Sequence, residues 1–207
     1  MNLAEFVRRL ETIGPEIKES FGEKSGASKK VFEALEKNEK RIFKKQSGPD
    51  EEWPKITVIS YITRKNLNKK FTEASSLFKS AAEAKPIQDT GKLFRQATSD
   101  AEGAIRKVKT DAAGELEFIF GTSKGAKHQE GGRLATGIDS VMAQRARDRA
   151  PSGSARNMVE KMLTHYSDNR GKIPQRKFVY LTEEGFSDMF DAVFDGVVGT
   201  LEEVFDE

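Results

Sequence analysis

The strongest constraint on the fold is an apolar pattern with helical spacing at the end of the sequence. Its members recur at intervals of three and four residues, which places them along one side of a helix. They are Phe186, Met189, Phe190, Val193, Phe194, Val197, Val198, Leu201, Val204 and Phe205. Thr182 precedes the pattern as a candidate N-cap, and Glu183 and Glu184 follow where the helix dipole favours negative charge. We therefore predict a β segment at 173–181 that leads into a capped, amphipathic closing helix.

Charge is distributed unevenly, although the formal net charge is only +2. Nine of the 33 acidic residues lie in 182–207, which contains no Lys or Arg. Residues 1–181 therefore hold 35 basic and 24 acidic residues, a net charge of +11. A basic body with an acidic closing helix favours head-to-tail attraction between copies, or an approach of the body to nucleic acid. A solvated acidic outer face of the helix is the plainer interpretation, and the sequence leaves both open.

The composition is that of a polar chain that can bury a core. With 207 residues, 33% of them charged, the chain is predicted to form one domain. It has no cysteine, which excludes disulfides, thiolate metal ligands and cysteine nucleophiles. No apolar run reaches the ~18 residues of a membrane span, and Glu5 interrupts the apolar start that a signal peptide needs. We expect a cytosolic site of synthesis and no membrane partner.

Periodicity and turn residues divide the rest of the chain into short elements. Helices are predicted at 2–12, 28–46, 64–84, 138–150 and 155–168, with a brief structured run to about 96. Gly14 and Pro15 are expected to break or bend the first helix, and Trp53 to plug the core beneath a loop. Strands are predicted at 103–110 and 115–121, with a hairpin loop at 111–114. The predicted fold class is α+β, in which a small, mostly antiparallel sheet of three or four strands packs with the N-terminal and C-terminal helices.

Few residues offer catalytic or metal-binding chemistry. His128 and His165 are the only histidines, they form no His-x-x-x-His pair, and no cysteine can assist them. The segment 121–125 has glycines but lacks the spacing of a phosphate-binding P-loop. We predict no catalytic residue, no metal and no cofactor; a hydrolase centred on His128 is kept as an alternative.

An arginine cluster offers a surface for phosphate or a partner protein. Its members are Arg133, Arg145, Arg147, Arg149, Arg156 and Arg170. Arg145 and Arg149 lie four residues apart and share a helix face, so with Arg133 and Arg156 they are candidate contacts for DNA or a partner. A solvated helix paired with Asp148 and Glu160 is the structural alternative. Few aromatic residues interleave with the cluster, which argues against base stacking on a single strand.

Four separated segments carry short motifs. They are 43–53 with Trp53; 89–93 with Thr90, Gly91 and Leu93; 120–131 with Gly121, His128, Gln129 and Gly131; and 173–184 with Pro174, Arg176 and Phe178. In this order they resemble the virion morphogenesis, or tail-completion, family of tailed bacteriophages of the Mu-like type. The chain departs from the family pattern at Lys177, where a second proline is common, and at 179–180, where a smaller pair is expected.

The resemblance implies a single virion morphogenesis-like domain over 1–207, with helical insertions at about 58–86 and 133–170. It implies a structural protein, not an enzyme, of the virion neck or tail end, assembled in the host cytoplasm. Such a protein acts as a tail terminator or in head–tail joining. Its expected partners are other copies of itself in an oligomeric ring (a hexamer is one candidate), tail tube or head connector proteins, and packaged DNA nearby. A nucleic-acid-binding module that uses the basic body is the alternative function.

The motif residues also have structural interpretations. Gly91 and Gly121 suit tight turns at strand ends where φ is positive. Pro174 can open a strand without losing a needed hydrogen-bond donor. Arg176 is expected to point outward to an ion pair, and Phe178 to point into the core.

Overall fold

The structure is a computed structural model that describes residues 3–86, 91–110, 115–123, 125, 129–133, 138–167, 172–173 and 175–206. Thr90, His128, Pro174 and the predicted hairpin loop lie outside these residues. The fold is α+β, as predicted. In chain order the elements are α1 Leu3–Ser20, α2 Gly26–Lys45, α3 Val58–Ile62, α4 Ala74–Glu83, α5 Lys92–Thr98, β1 Ala104–Thr110, β2 Leu116–Thr122, β3 Gly132–Arg133, α6 Ser140–Arg149, α7 Gly153–Ser167, β4 Lys172–Ile173 and α8 Glu183–Asp206.

The chain divides into two compact units, each made of separate segments. The first unit comprises Met1–Lys44, Arg95–Ser123 and Val179–Glu207. The second comprises Lys45–Phe94 and Lys124–Phe178, so both predicted helical insertions lie in it. The assignment of 1–207 to one domain stays a prediction.

The first unit packs a β-hairpin and α8 against α2. β1 and β2 pair antiparallel, from Ala104 opposite Thr122 to Thr110 opposite Leu116, which confirms both predicted strands. Strand alternation puts the apolar side chains of one hairpin face toward the core. The buried centre comprises Phe21, Val31, Phe32 and Leu35, and the partly buried residues around it include Val108, Phe118, Phe120, Met189 and Val193. Phe118 meets the rings of Phe21 and Phe32 edge-on, with centroids 6.0 and 5.9 Å apart.

The predicted end of the first helix near residue 12 is wrong, because α1 continues through Pro15 to Ser20. A proline inside a helix removes a hydrogen bond and costs about 3 kcal/mol. Packing offsets that cost here, since α1 lies along α8 and Ile17, beyond the proline, contacts the core of the first unit. Arg9 also donates a hydrogen bond to the carbonyl oxygen of Val204.

The second unit is a helical core of α3, α4, α6 and α7. The predicted helix at 64–84 is wrong in its first half, because α4 begins at Ala74. In the segment before α4, main-chain groups form hydrogen bonds with the end of α6 and the start of α7. Phe71 N donates to Arg149 O at 2.7 Å, and Thr72 O accepts from Ala155 N at 3.0 Å. Gly153 permits this approach, since its φ is +69° and a Cβ there would lie 2.3 Å from Thr72 O. Phe71 and Val159 are buried in the core beside this segment.

The predicted single sheet of three or four strands is also wrong. The described residues form two separate two-stranded antiparallel sheets, β1–β2 and β3–β4. The predicted strand at 173–181 is reduced to β4, which pairs Ile173 with Gly132. Beyond it, side chains bind the main chain where a strand neighbour would: Phe178 N donates to Gln129 Oε1, and Lys177 O accepts from Trp53 Nε1.

Candidate functional site

Trp53 lies at the centre of a cluster in the second unit. The loop after α2 closes on itself, since Trp53 N donates to Gln46 O at 2.8 Å and Gly48 N to Glu51 O at 2.7 Å. The loop therefore turns the indole inward, where it is 5% exposed and donates from Nε1 to Lys177 O at 2.8 Å. The prediction that Trp53 is a core plug is confirmed.

Arg176 lies beside Trp53 and is buried, which contradicts the predicted outward ion pair. The side chain is 5% exposed, and its Nε and Nη2 atoms donate to Pro54 O at 3.0 and 2.7 Å. Burial lowers the pKa of Arg176, and the positive charge of Arg64 lowers it further. The main chain that follows Trp53 turns the carbonyl oxygen of Pro54 toward the guanidinium, which it holds by these two hydrogen bonds.

Gln129 joins a third motif segment to the same cluster. Its Oε1 accepts from Phe178 N at 2.9 Å, and its main-chain oxygen accepts from Gln175 Nε2 at 3.1 Å. The Phe178 side chain is 1% exposed, as predicted. We call Trp53, Gln129, Arg176 and Phe178 the motif joint. Three of the four family-like segments meet there.

The remaining motif glycines differ in what they do. Gly91 has the predicted positive φ, +66°, but it precedes helix α5 and does not end a strand. The half-buried Leu93 lies in the first turn of that helix. Gly131 also has a positive φ, +75°. The prediction of a positive φ at Gly121 is wrong, because this residue is within β2 and pairs with Ile105.

Three arginines of the cluster form ion pairs or hydrogen bonds with other groups of the second unit. Arg147 Nε and Arg156 Nη2 lie 3.0 and 2.8 Å from Glu160 Oε1. Arg149 donates to the carbonyl oxygens of Ile62 and Lys65. The side chain of Arg145 forms no hydrogen bond or ion pair in the part of the chain that the structure describes, and the side chain of Arg133 lies outside it. The Glu160 pairing matches the structural alternative, while Asp148 instead accepts from Gln144. Contact with DNA stays a prediction.

The closing helix α8 begins as predicted. Thr182 Oγ1 accepts from Gly185 N at 3.0 Å, which confirms Thr182 as the N-cap. Sequence reasoning missed Asn38, which fixes this cap: its Oδ1 accepts from Thr182 Oγ1 at 2.7 Å and its Nδ2 donates to Tyr180 O at 2.6 Å. An Asn in the apolar pattern of α2 was the available signal.

The apolar residues of α8 form two faces, although the sequence predicts one. Met189, Ala192, Val193 and Val197 pack in the core of the first unit. Gly196 permits close approach there, since a Cβ would lie 2.6 Å from Phe21 Cζ, whereas Gly199 has nothing within 4 Å. The second face is open to solvent and contains Phe186, Phe190 and Phe194, which are 55%, 56% and 57% exposed. We call these three residues the aromatic ladder.

Charge on α8 is partly neutralised by α2. Asp188 lies 2.6 Å from Arg41 and 3.1 Å from Lys37, and Glu184 lies 3.3 Å from Arg41. Asp191 and Asp195 are exposed, and their carboxylates form no ion pair or hydrogen bond within the described ranges. Asp191 and Asp195, which we call the acidic stripe, are therefore available to a partner.

Sequence reasoning also missed Arg106, whose side chain is 9% exposed. Its Nε lies 3.2 Å from Glu36 Oε1, and its guanidinium lies 3.9 Å above the Phe120 ring. Its Nη atoms donate to the carbonyl oxygens of Gln96, Ala97, Ser99, Ile105 and Gly121. Burial lowers the pKa of Arg106, while Glu36 opposes that change. The signal was an arginine on the apolar face of a strand.

Glu39 is a buried carboxyl group on α2. It is 1% exposed, and its Oε2 has no hydrogen-bond partner among the described atoms. Burial raises the pKa of Glu39 to about 9, with Arg106 acting in the opposite direction. The group is therefore protonated and neutral at pH 7.

Among the described residues, no group of three His, Cys, Asp or Glu side chains is placed to hold a metal ion. Within the same residues, no helix has the length and apolarity needed to cross a bilayer. Comparisons with protein-family models, with curated proteins and with solved structures found no match to this chain.

Proposed function

We propose that this chain is a structural protein of a tailed bacteriophage, located at the virion neck or tail end. In this proposal it completes or terminates the tail, or joins the tail to the head connector, and it acts as a ring of identical copies. It contributes surfaces to an assembly and catalyses no reaction.

The observation that carries this proposal is the motif joint. Segments 43–53, 120–131 and 173–184 resemble parts of the tail-completion family, and hydrogen bonds join all three: Trp53 Nε1 donates to Lys177 O, and Phe178 N donates to Gln129 Oε1. Each hydrogen bond that joins these segments pairs a side chain with a main-chain group. Motif residues used in this way hold loops in place, as is expected for a protein whose function depends on its shape.

The aromatic ladder and the acidic stripe support the same proposal. A soluble monomer rarely exposes a large contiguous apolar patch, and such a patch commonly marks an interaction site. The ladder is a row of three half-exposed rings. A ring of identical copies needs two different contact surfaces on each copy, because its contacts are head-to-tail.

Deletion of the gene from the genome that encodes it tests the proposal. We expect neighbouring reading frames for tail tube, sheath or connector proteins, and electron micrographs of the deletion lysate that show DNA-filled heads separate from tails. A wild-type copy supplied in trans should restore joined particles. Normal yields of joined, infectious particles after deletion, or a genomic setting unrelated to viral particles, would refute it.

A further inference from the structure

The aromatic ladder is a continuous aromatic surface. Its residues are spaced four apart, so they lie one turn above another on α8. Adjacent rings are stacked, with both centroid distances at 6.4 Å and interplanar angles of 25° and 14°. The rings contact each other while more than half of each side chain faces solvent.

The size of the ladder matches the centre of a protein interface. An aromatic side chain presents 150–250 Å² of surface, so three half-exposed rings offer roughly 300 Å². A stable interface buries ~800 Å² on each partner, with aromatic anchors concentrated at its centre. The ladder can supply that centre, and the acidic residues beside it can supply the polar rim.

The charge beside the ladder defines the chemistry of its partner. Asp191 is one helical turn from Phe194 and therefore borders the rings, and Asp195 lies one turn further along the helix from Asp191. The two carboxylates lack the basic partners that neutralise Asp188. A partner surface should therefore combine exposed apolar side chains with a positive charge that is not already paired.

Helix α6 in the second unit has this chemistry. Val141 and Met142 are 55% and 38% exposed, and the side chain of Arg145, one turn later on the same face, forms no hydrogen bond or ion pair in the described parts of the chain. The ten residues of α6 span about 15 Å, and the ladder spans about 12 Å at 1.5 Å per residue. Phe78 on α4 is also 51% exposed, but its neighbours one turn away are alanine and serine.

We propose that the aromatic ladder of one copy docks on α6 of a second copy, with Asp191 and Asp195 beside Arg145. This contact joins two different surfaces, so each copy can both give and receive it, and repetition with a suitable rotation closes a ring. The inference rests on the ring in the proposed function and names the two surfaces that form it.

A charge-exchange experiment tests the contact with the full-length protein. One variant combines Asp191→Arg and Asp195→Arg, and the other is Arg145→Glu. Each alone places like charges across the contact, so self-association measured by light scattering and sedimentation should weaken about 100-fold. An equimolar mixture of the two variants pairs opposite charges again and should recover assembly to within about fivefold of wild type.

A matched pair of phenylalanine variants tests the apolar part. Phe190→Ser should weaken association about 30-fold or more, because it removes the central ring of the ladder. Phe78→Ser removes an equally exposed phenylalanine and should change association less than about threefold. Both residues are exposed, so circular dichroism and thermal unfolding should match wild type, which separates loss of contact from loss of fold.

Three results would overturn the inference. They are a monomeric wild type at high concentration, no recovery in the mixture of charge variants, and equal effects of the two phenylalanine variants. If the protein oligomerises and Phe190→Ser weakens it but the charge variants do not, the ladder binds another surface, such as a second ladder. The gene deletion tests the function at the neck or tail end separately, because its outcome does not depend on which surfaces form the ring.

Discussion

Phenylalanine and charged residues are buried in the motif joint, whereas residues of the same kinds are exposed on α8. In the joint, Phe178 is 1% exposed and Arg176 is 5% exposed, both held by main-chain contacts. On α8, Phe190 is 56% exposed and the carboxylate of Asp191 has no ion pair or hydrogen bond among the described residues. Residue type alone therefore does not show whether a side chain stabilises the fold or contributes to an interaction surface, even though Arg176 and Phe178 lie only a few residues before α8. The surroundings of each side chain make that distinction.

The largest expected effect is a difference in stability between variants of two phenylalanines, one in the motif joint and one on α8. Phe178→Ala removes a fully buried ring and should lower the free energy of unfolding by about 3–5 kcal/mol, since it leaves a cavity in the joint. Phe186→Ala, on the ladder, should change it by less than about 1 kcal/mol. Denaturant titration of both variants, with m-values compared, measures the difference. Equal losses would mean that α8 is as structural as the joint.

The buried carboxyl group of Glu39, in the first unit, should make the free energy of unfolding depend on pH. The pKa of Glu39 is about 9 in the folded protein and 4.5 for an ordinary carboxyl, so the folded state binds more protons between these values. The free energy of unfolding should therefore fall as pH rises from 4.5 to about 9. Keeping this group neutral at pH 7 costs about 3 kcal/mol, at ~1.4 kcal/mol per pH unit.

Glu39→Gln should remove most of that cost. We expect it to stabilise the protein at pH 7 by up to about 3 kcal/mol and to flatten the pH dependence between 4.5 and 9. Glu33→Gln, at an exposed position of the same helix, is the matched control for the substitution. Unfolding curves at several pH values measure both variants, and an unaltered slope in Glu39→Gln would show that other groups set it.

A smaller effect is expected when one hydrogen bond of the joint is removed. Trp53→Phe keeps an aromatic ring but leaves Lys177 O without the Nε1 donor, which should cost about 1–2 kcal/mol. Hydrogen exchange localises the change: amides of the joint should lose protection, while those of the β1–β2 hairpin should not. Uniform loss of protection would indicate that the two units unfold together.

The smallest expected effect concerns two arginines on α6. Arg145→Ala should alter the free energy of unfolding by less than about 0.5 kcal/mol, whereas Arg149→Ala loses contacts to two carbonyl oxygens and should cost about 1 kcal/mol. Duplex-DNA titrations at low and moderate salt on the same variants examine the nucleic-acid alternative. Tight binding that falls steeply with salt and is lost in Arg145→Ala would favour that alternative.

Much of the fold follows from local pattern. Strands β1 and β2, helices α2, α6 and α7, and the cap at Thr182 were each predictable from alternation, helical spacing or turn residues. The failures have tertiary causes. Packing against α8 carries α1 through Pro15, and hydrogen bonds to α6 and α7 keep the segment before α4 from forming a helix.

The sequence predicted which residues belong to the motif joint, but not how they are arranged. The motifs identified Trp53, Gln129, Arg176 and Phe178, but not that they meet, because the segments are far apart in sequence. Arg176 was predicted to lie outside because an arginine is seldom buried. Periodicity also could not divide the apolar residues of α8 between a buried and an exposed face, since together they cover half of the helix circumference.

The most direct measurement of the central claim is electron microscopy of the purified protein mixed with tail tubes from the same genetic system. We expect rings of the protein at one end of each tube, and bare tube ends with the Phe190→Ser variant. Tubes that stay uncapped while the protein remains monomeric would contradict the claim that α8 presents an interaction surface. Rings that the Phe190→Ser variant forms as well as wild type would contradict it too.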